Sequence, residues 1–286
     1  MDAPKEPAIA FYDIILDPAA YPSSPNPWKT RYALNFAKVP YRTTWVPLGA
    51  VAATRDALHL AANRKHPDGR DFPTLPIICD PLASTRTDTP SGGEEGEVLV
   101  GDSFDIAQHL QKTYLSASSP QRQLFPGDAT VALTRAFNTL VDEVFSQNGA
   151  PLAGFFMPLD PRTAEADKQG FVDRFPGMTK WEDFEVPQGT EIRKKMVADF
   201  EAALDAKLAR CLPAAGEGAG PFVDGRESPM YADFIIGGWL QFMRGCLPEW
   251  EELRDRWSGG KWGRLFDALE EWAAVDGREG VVPPRR

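Results

Sequence analysis

The chain of 286 residues is predicted to combine an α/β half with an all-α half. Residues 8–115 alternate short strand-like runs with amphipathic segments in the order βαβαββα, whereas the segments after about residue 128 are almost entirely helical. The connection between them, SSPQRQLFPGD, is polar and contains two prolines, which is typical of a linker. We therefore expect two domains, residues 1–118 and residues 125–286.

The first three elements are predicted to form a β-α-β unit. Residues 8–16, AIAFYDIIL, are a short apolar run rich in isoleucine and aromatic side chains, which is typical of a buried strand. After the turn YPSSPNP, the spacing of Trp28, Tyr32 and Phe36 predicts an amphipathic helix. Beyond Pro40, YRTTWVPL alternates and is rich in strand formers. This order favours parallel strands with a right-handed crossover.

The remaining elements follow the same kinds of signal. Residues 51–64 are predicted to be helical, and HPDGRDFP ends that helix. TLPIICD and EVLVGD are strand candidates, and SFDIAQHLQKTYL is a helix. Residues 81–96, between the two strands, are too long for a tight hairpin, so we expect a mobile surface insertion. In the second half, four segments carry apolar residues at helical spacing: TRAFNTLVDEVFSQ, EIRKKMVADFEAALDAKLARCL, YADFIIGGWLQFMRG and KWGRLFDALEEWA.

Composition excludes several classes of function. The formal net charge of −10 disfavours broad attraction to nucleic acid or anionic membranes. No apolar run approaches the roughly 18 residues of a membrane-spanning helix, and the N-terminal MDAPKEPAIA lacks the pattern of a secretory signal. The 3 cysteines and 3 histidines show neither a disulfide framework nor metal-ligand spacing. We expect a soluble cytoplasmic protein without a metal site, a nucleic-acid partner or a membrane partner.

Ser24 opens the first of three candidate binding motifs, SPNP, immediately before the first predicted helix. Serine is a preferred N-cap, and proline is favoured at the first helical position. A hydroxyl there lies near free backbone N–H groups and the positive end of the helix dipole, which stabilise an anion or a thiolate. Plain helix capping is the alternative explanation of this motif.

The other two motifs are Leu75-Pro76 and Asp102-Ser103. A proline that enters a buried strand requires special circumstances, one of which is a cis peptide bond that presents the Leu75 N–H and C=O to a peptide-like ligand. An edge-strand proline explains the motif equally well. At the start of the last helix of this half, exposed N–H groups and the Ser103 hydroxyl suit a ligand carboxylate, and Asp102 suits an ammonium group. Capping by either residue is the alternative.

The order of these motifs on a βαβαββα frame resembles the glutathione transferase superfamily. The superfamily signal is carried by SPNPWKTRYALNF, the TLP strand start and the DS helix start. Three segments of the second half add a similarity to fungal glutathione transferases related to bacterial β-etherases: LDPRTAEADKQGFVDRF, PFVDGRESPMYADFIIGGWLQF and WSGGKWGRLFDALEEW. The resemblance covers roughly residues 9–275. It implies a thioredoxin-like N-terminal domain, a helical-bundle C-terminal domain and a cytoplasmic homodimer.

The resemblance also implies how glutathione is bound. The Ser24 hydroxyl would face the glutathione sulfur and act as the catalytic residue that stabilises the thiolate. Leu75 would contact the cysteinyl part through its backbone, with Pro76 in the cis form. Asp102 and Ser103 would hold the γ-glutamyl ammonium and carboxylate groups.

Further contacts are implied without a single assignment. Asn26 is a second polar contact near the sulfur, and the glycyl carboxylate would meet one of four basic side chains: Lys38, Arg64, Lys65 or His66. Acceptor-site candidates, for which core packing is the alternative, are Phe155, Phe156, Met157, Trp239, Phe242 and Met243. One departure from the superfamily pattern is Met230, which stands where a capping box usually has serine or threonine before Asp233.

The resemblance predicts a glutathione S-transferase with a role in detoxification. Glutathione thiolate would attack an electrophilic carbon of a hydrophobic aromatic substrate, including cleavage of β-aryl ethers with a phenol as the leaving group. One alternative is a ligandin that binds glutathione and polyphenol-like aromatic compounds without efficient turnover; another is a transferase-like module used for protein association. Serine at position 24 disfavours exchange through a mixed disulfide, and Cys79 is expected to be an inert buried thiol.

Overall fold

The first half is built on a four-stranded mixed sheet. The computed structural model describes residues 8–66, 68–81, 97–115, 122–127, 129–173, 177–214 and 219–276. The strands of this sheet are β1 (Ile9–Ile15), β2 (Tyr41–Pro47), β5 (Ile77–Asp80) and β6 (Val98–Val100). Their order in the sheet is β2-β1-β5-β6, with β1 parallel to β2 and the other two pairs antiparallel. The helices of this half are α1 (Pro25–Ala37), α2 (Val51–Ala57) and α3 (Ser103–Tyr114). The predicted thioredoxin-like α/β architecture is confirmed.

The second half is helical, also as predicted. Its α-helices are α4 (Ala129–Val144), α5 (Ala150–Ala153), α6 (Ala164–Val172), α7 (Glu191–Lys207), α8 (Tyr231–Cys246), α9 (Trp250–Asp255) and α10 (Lys261–Ala268). In the described ranges, no helix combines the length and apolar character needed to cross a membrane. The predicted insertion at 81–96 lies outside the described residues, apart from Pro81 at its start.

The helix predicted over 51–64 is wrong in its second half. α2 ends at Ala57, His59 has a left-handed φ of 54°, and a small hairpin follows, formed by β3 (Arg64–Lys65) and β4 (Asp71–Phe72). The Ala61 carbonyl accepts hydrogen bonds from the Arg55 side chain rather than from a further helical turn. Two-residue strands are too short to show an alternating pattern, which is why the hairpin could not be predicted.

Helix α1 is buried on nearly all sides, not amphipathic as predicted. Trp28 and Tyr32 are completely buried, but so are the charged side chains of Lys29 and Arg31. Arg31 pairs with the buried Asp13 of β1 at 2.6 Å, and Lys29 points into the helical half. The helix therefore lies in one core shared by the two halves, because α8 covers the side that the sheet leaves open.

The close approach of α1 and α8 depends on a glycine. A Cβ at Gly238 would lie 2.5 Å from the Pro25 carbonyl oxygen and 3.0 Å from Cγ of Lys29. No side chain fits there without moving α1. Since Pro25 is the first residue of α1, this contact places the start of that helix against the helical half.

Asp233 holds the start of α8 although Met230 replaces the usual capping hydroxyl. Its Oδ2 accepts a hydrogen bond from the Met230 N–H at 2.8 Å, and its Oδ1 accepts from the Val223 N–H at 2.7 Å. The backward half of the capping box is therefore present, and the other oxygen secures the preceding loop. Burial raises the pKa of the Asp233 carboxyl to about 7, although both N–H groups oppose this shift.

We expect the Asp233→Asn variant to remove a pH dependence of stability. In the wild type the folded carboxyl keeps its proton up to about pH 7, whereas the unfolded one titrates near about pH 4. The folded state therefore binds more protons between these values, and the free energy of unfolding falls as pH rises, by up to about 1.4 kcal/mol per pH unit. Urea denaturation from about pH 5 to about pH 7 measures this slope. The exposed neighbour variant Asp224→Asn should retain it, and an unchanged slope in Asp233→Asn would contradict the prediction.

Candidate functional site

Three chain segments meet at one edge of the sheet. β1 ends there at Ile15 and leads to the start of α1. β5 runs antiparallel to β1, with Ile77 opposite Tyr12, so β5 begins at this edge. β6 runs antiparallel to β5, with Val100 opposite Ile78, so β6 ends at the same edge. The sheet thus brings together the three predicted motifs: Ser24-Pro25-Asn26, Leu75-Pro76 and Asp102-Ser103.

Ser24 is the N-cap residue of α1, but its hydroxyl makes no capping hydrogen bond. Pro25 and Pro27 occupy the first and third helical positions and have no N–H group, so Asn26 is the only donor among these three residues. The expected group of several free N–H donors is therefore reduced to one. Asn26 also has a buried side-chain Oδ1 without a hydrogen-bond partner. The half-buried Ser24 hydroxyl makes no capping hydrogen bond, so capping does not account for its side chain.

The Leu75–Pro76 peptide bond is cis. The paired part of β5 begins at Ile77, so Leu75 lies before it. Leu75 is buried at 2% exposure, and the Thr74 hydroxyl donates to Asn63 Oδ1 at 2.7 Å. The cis form that the resemblance implied is therefore present, at a point where the Leu75 peptide groups are not part of the ladder.

Asp102 is the N-cap of α3, and its two carboxylate oxygens accept hydrogen bonds from two different donors. Oδ1 accepts from the Phe104 N–H at 2.8 Å, and Oδ2 accepts from Asn63 Nδ2 at 3.3 Å. The capping explanation is thus correct for Asp102. Ser103 is buried at 4% exposure, and its carbonyl accepts from the Tyr231 hydroxyl at 2.7 Å, which ties this helix start to α8.

The four candidates for the glycyl carboxylate occupy different places. Lys38 follows the last residue of α1, about 20 Å from its start for a helix of this length, so it is too far from the three motifs. Lys65 and His66 contact the β4 strand of their own hairpin. Arg64 is 44% exposed, and its Nη2 lies 3.8 Å from Asp142 Oδ2 of α4. Arg64 is therefore the candidate that faces the junction of the two halves.

A polar cluster that sequence reasoning missed surrounds the completely buried Lys29. Its Nζ donates to Asp142 Oδ1 at 2.6 Å and to Asn138 Oδ1 at 2.9 Å, and Trp239 Nε1 donates to the same Asp142 oxygen at 2.7 Å. Burial lowers the pKa of Lys29, and the Asp142 carboxylate opposes that shift. The cluster joins α1, α4 and α8 and fixes the Trp239 indole. The sequence pattern does not predict that Lys29 is buried, because a lysine in a helix normally faces solvent.

The acceptor-site candidates divide into two groups. Phe155, Phe156 and Met157 are half-buried, and the Phe155 ring stacks on Trp181 with centroids 5.8 Å apart. The α8 group is more deeply buried, and Met243 has no exposed surface, so core packing accounts for that residue. The α8 group consists of Trp239, Phe242 and Met243.

Cys79 is a buried thiol that pairs with a carboxylate. Burial raises the pKa of the Cys79 thiol to about 12, aided by the Glu97 carboxylate, which accepts its hydrogen bond at 2.8 Å. This supports the expectation that Cys79 is inert. Among the residues that the structure describes, no group of three or more His, Cys, Asp or Glu side chains is arranged to hold a metal ion.

Comparisons with known proteins identify the family that the chain resembles. Residues 132–272 match the family model described as glutathione S-transferase, C-terminal domain. A solved glutathione S-transferase of Ceriporiopsis subvermispora, in complex with glutathione, is 30% identical over 95% of this chain and 100% of that chain, with a TM-score of 0.75. A glutathione transferase of Phanerochaete chrysosporium is 28% identical over 94% of this chain and 98% of that chain, with a TM-score of 0.69.

Another glutathione S-transferase of Ceriporiopsis subvermispora, also in complex with glutathione, is 25% identical over 92% of this chain and 98% of that chain, with a TM-score of 0.71. No curated protein sequence matches the chain. The similarity to the solved structures extends across both halves, whereas the family model is confined to the second.

Proposed function

The chain belongs to the glutathione transferase family, and from this we propose that it binds glutathione beside the start of α1 and transfers its thiolate to hydrophobic aromatic electrophiles. The observation that carries the proposal is the half-buried Ser24 hydroxyl, which makes no capping hydrogen bond. It stands at the edge that also presents the cis Leu75–Pro76 bond and the start of α3.

Ser24 supplies a hydrogen bond to the glutathione sulfur. A free thiol has a pKa near about 8.5, so only a few per cent is ionised at neutral pH. A hydroxyl donor together with the positive end of α1 lowers this pKa by about one to two units, which raises the thiolate fraction about tenfold or more. The N–H of Asn26 is the backbone donor available beside it. The serine acts by stabilising the anion, and it forms no covalent intermediate.

The other two segments hold the peptide part of glutathione. The Leu75 peptide groups pair with the cysteinyl backbone, Asp102 accepts from the γ-glutamyl ammonium, and Ser103 binds the γ-glutamyl carboxylate. Arg64 is our choice for the glycyl carboxylate, since it is the half-exposed basic side chain at the junction of the two halves. The charges of these groups complement those of glutathione.

The acceptor lies against aromatic side chains of the helical half. Phe155, Phe156 and Met157 offer partly exposed apolar surface, and Trp239 is held in place by Asp142. Aromatic faces of this kind bind aromatic substrates. An aryl ether suits the proposed chemistry, because attack of the thiolate on the ether carbon breaks the C–O bond and releases a phenolate. A phenolate leaves without a proton donor, and the enzyme needs no general acid.

Binding of glutathione is tested most directly at the start of α3. The double variant Asp102→Ala/Ser103→Ala is expected to lower glutathione affinity at least about tenfold, because hydrogen bonds to charged groups contribute about 1.5–3 kcal/mol each. Calorimetric titration measures this, with Asp105→Ala, an exposed carboxylate of the same helix, as the matched control. The control should bind glutathione as the wild type does.

Turnover of a fluorogenic aryl ether then distinguishes the outcomes. Saturable binding that the double variant loses, together with turnover, supports the transferase. Binding of glutathione and aromatic compounds without turnover would identify a ligandin instead. A wild type that does not bind glutathione would contradict the proposal and leave association with other proteins as the remaining function of the fold.

A further inference from the structure

Arg55 of α2 is a buried arginine whose side-chain hydrogen bonds all end on backbone carbonyls. It is 3% exposed. Nη1 donates to the Thr74 oxygen at 2.7 Å and to the Gly101 oxygen at 3.3 Å. Nε and Nη2 donate to the Ala61 oxygen at 3.1 and 2.6 Å. Within the described residues, no carboxylate forms an ion pair with this guanidinium. Its N–H donors therefore hold backbone segments in place and do not neutralise a carboxylate.

The positions of these carbonyls connect Arg55 with the ligand site. Thr74 directly precedes Leu75, and Gly101 directly precedes Asp102. One planar guanidinium thus spans the two backbone segments that are proposed to hold the peptide part of glutathione. Because the donors of arginine have a fixed fork geometry, the group defines both the distance and the relative orientation of these segments.

Asn63 makes a second link between the same segments. Its Oδ1 accepts from the Thr74 hydroxyl at 2.7 Å, and its Nδ2 donates to Asp102 Oδ2 at 3.3 Å. Arg55 lies in α2 and Asn63 follows that helix, so both links start from residues 55–63. These residues contribute no group to the proposed peptide contacts. They therefore hold the two ligand-binding segments in position without contacting the ligand themselves.

The absence of a side chain at Gly101 leaves space for the Arg55 guanidinium. A Cβ at this position would lie 3.0 Å from Arg55 Nη2 and 3.4 Å from Nη1. The glycine is needed for space, since its φ is not in the left-handed region. Burial lowers the pKa of Arg55, and the nearby Asp102 carboxylate opposes this shift, so the cation also lies within electrostatic reach of Asp102.

We propose that Arg55 is a positioning residue for glutathione, which sets the spacing between the cis-proline turn and the start of α3 without touching the ligand. This inference rests on the proposed function. A change at Arg55 or Gly101 therefore weakens glutathione binding and leaves the acceptor site, which lies in the helical half, unaffected. The expected signature is a selective rise of the KM for glutathione.

The test uses two substitutions at Arg55 and one at the glycine that it contacts. Arg55→Met removes every donor, Arg55→Lys retains the charge but not the fork, and Gly101→Ala pushes the guanidinium away. We expect the KM and the calorimetric Kd for glutathione to rise about tenfold in Arg55→Met, as for the loss of one to two hydrogen bonds, and about threefold to fivefold in the other two. The KM for the acceptor should stay within about twofold, and kcat at saturating glutathione should be retained.

Arg42→Met, at an exposed arginine of β2, is the matched control and should behave as the wild type. If Arg55→Met does not fold, Arg55→Lys and Gly101→Ala decide the question. Wild-type affinity for glutathione in both of these variants would overturn the inference, and so would an equal rise of both KM values, which indicates general damage. A wild type that fails to bind glutathione would instead refute the proposed function.

Discussion

Replacement of Ser24 by alanine is expected to lower turnover of an aromatic electrophile about 10- to 100-fold at neutral pH. The hydroxyl makes no hydrogen bond within α1, so its removal leaves the helix start intact. The bound thiol then loses its donor, and its pKa returns toward about 8.5. The pH profile of kcat/KM measures this shift: its acidic limb should move by about one to two units to higher pH. Activity should therefore recover as the pH approaches about 9.

Glutathione affinity separates this effect from a loss of binding. Ser24→Ala should bind glutathione within about threefold of the wild type below the thiol pKa, because the peptide contacts remain. The adjacent Ser23→Ala is a matched control. Ser23 is buried, its hydroxyl lies 3.9 Å from Cys246 Sγ, and it has no part in the proposed glutathione contacts. A Ser24→Ala enzyme with an unchanged pH profile would show that another group stabilises the thiolate.

The three motifs were predictable from the sequence because each consists of neighbouring residues with its own backbone signal. Ser24 precedes prolines at a helix start, Pro76 precedes a strand, and Asp102 precedes a helix. The order of strands then placed them at one sheet edge. Capping, the alternative for the two helix starts, is correct for Asp102, whereas the Ser24 hydroxyl makes no capping hydrogen bond. A serine cap normally binds the N–H of the second or third helical residue, and Pro27 at the third position has none.

The supporting residues were not predictable, because their partners are distant in sequence. Lys29 pairs with Asp142, which lies more than 100 positions later in the chain, and Arg55 donates a hydrogen bond to the Gly101 carbonyl. A charged residue in a helical pattern is normally exposed, so the pattern does not predict that either is buried. Arg55 is buried against backbone segments of its own half, and Lys29 is buried by packing against the helical half. The same holds for α1, whose second face is covered by α8.

The division into two domains, 1–118 and 125–286, remains a prediction. The contacts between the halves bear on whether each could fold alone. Near the end of the described chain, the segment 272–276 returns to the first half. Asn35 Nδ2 donates to the Trp272 carbonyl at 2.7 Å, and the Thr43 N–H donates to Asp276 Oδ2 at 2.9 Å. Together with the buried faces of α1, these contacts mean that a separated first half would expose apolar surface and a buried lysine. We expect the halves to fold as one cooperative unit.

The Asp142→Ala variant is expected to lose about 3–5 kcal/mol of unfolding free energy, because it leaves Lys29 buried without a counter-charge. Trp239 loses its hydrogen-bond acceptor in the same variant. Denaturant titration measures the loss. The deficit should shrink as pH rises toward about 10. The Asp142 carboxylate opposes the lowering of the Lys29 pKa by burial, so its removal lowers that pKa further below the value of an unfolded lysine. The unfolded variant then binds more protons than the folded variant, and the stability of the variant rises with pH more than that of the wild type.

Two further variants establish that the loss comes from a buried charge. In Lys29→Met/Asp142→Leu both charges are replaced by apolar groups, and most of the stability should return, since apolar pairs of similar volume substitute well for buried ion pairs. Asp199→Ala breaks the exposed Lys195–Asp199 pair of α7 and should cost less than about 1 kcal/mol. If Asp142→Ala costs no more than Asp199→Ala, or if the double variant is as unstable as the single one, Lys29 does not depend on Asp142. The cluster would then not be what fixes Trp239 at the junction of α1, α4 and α8.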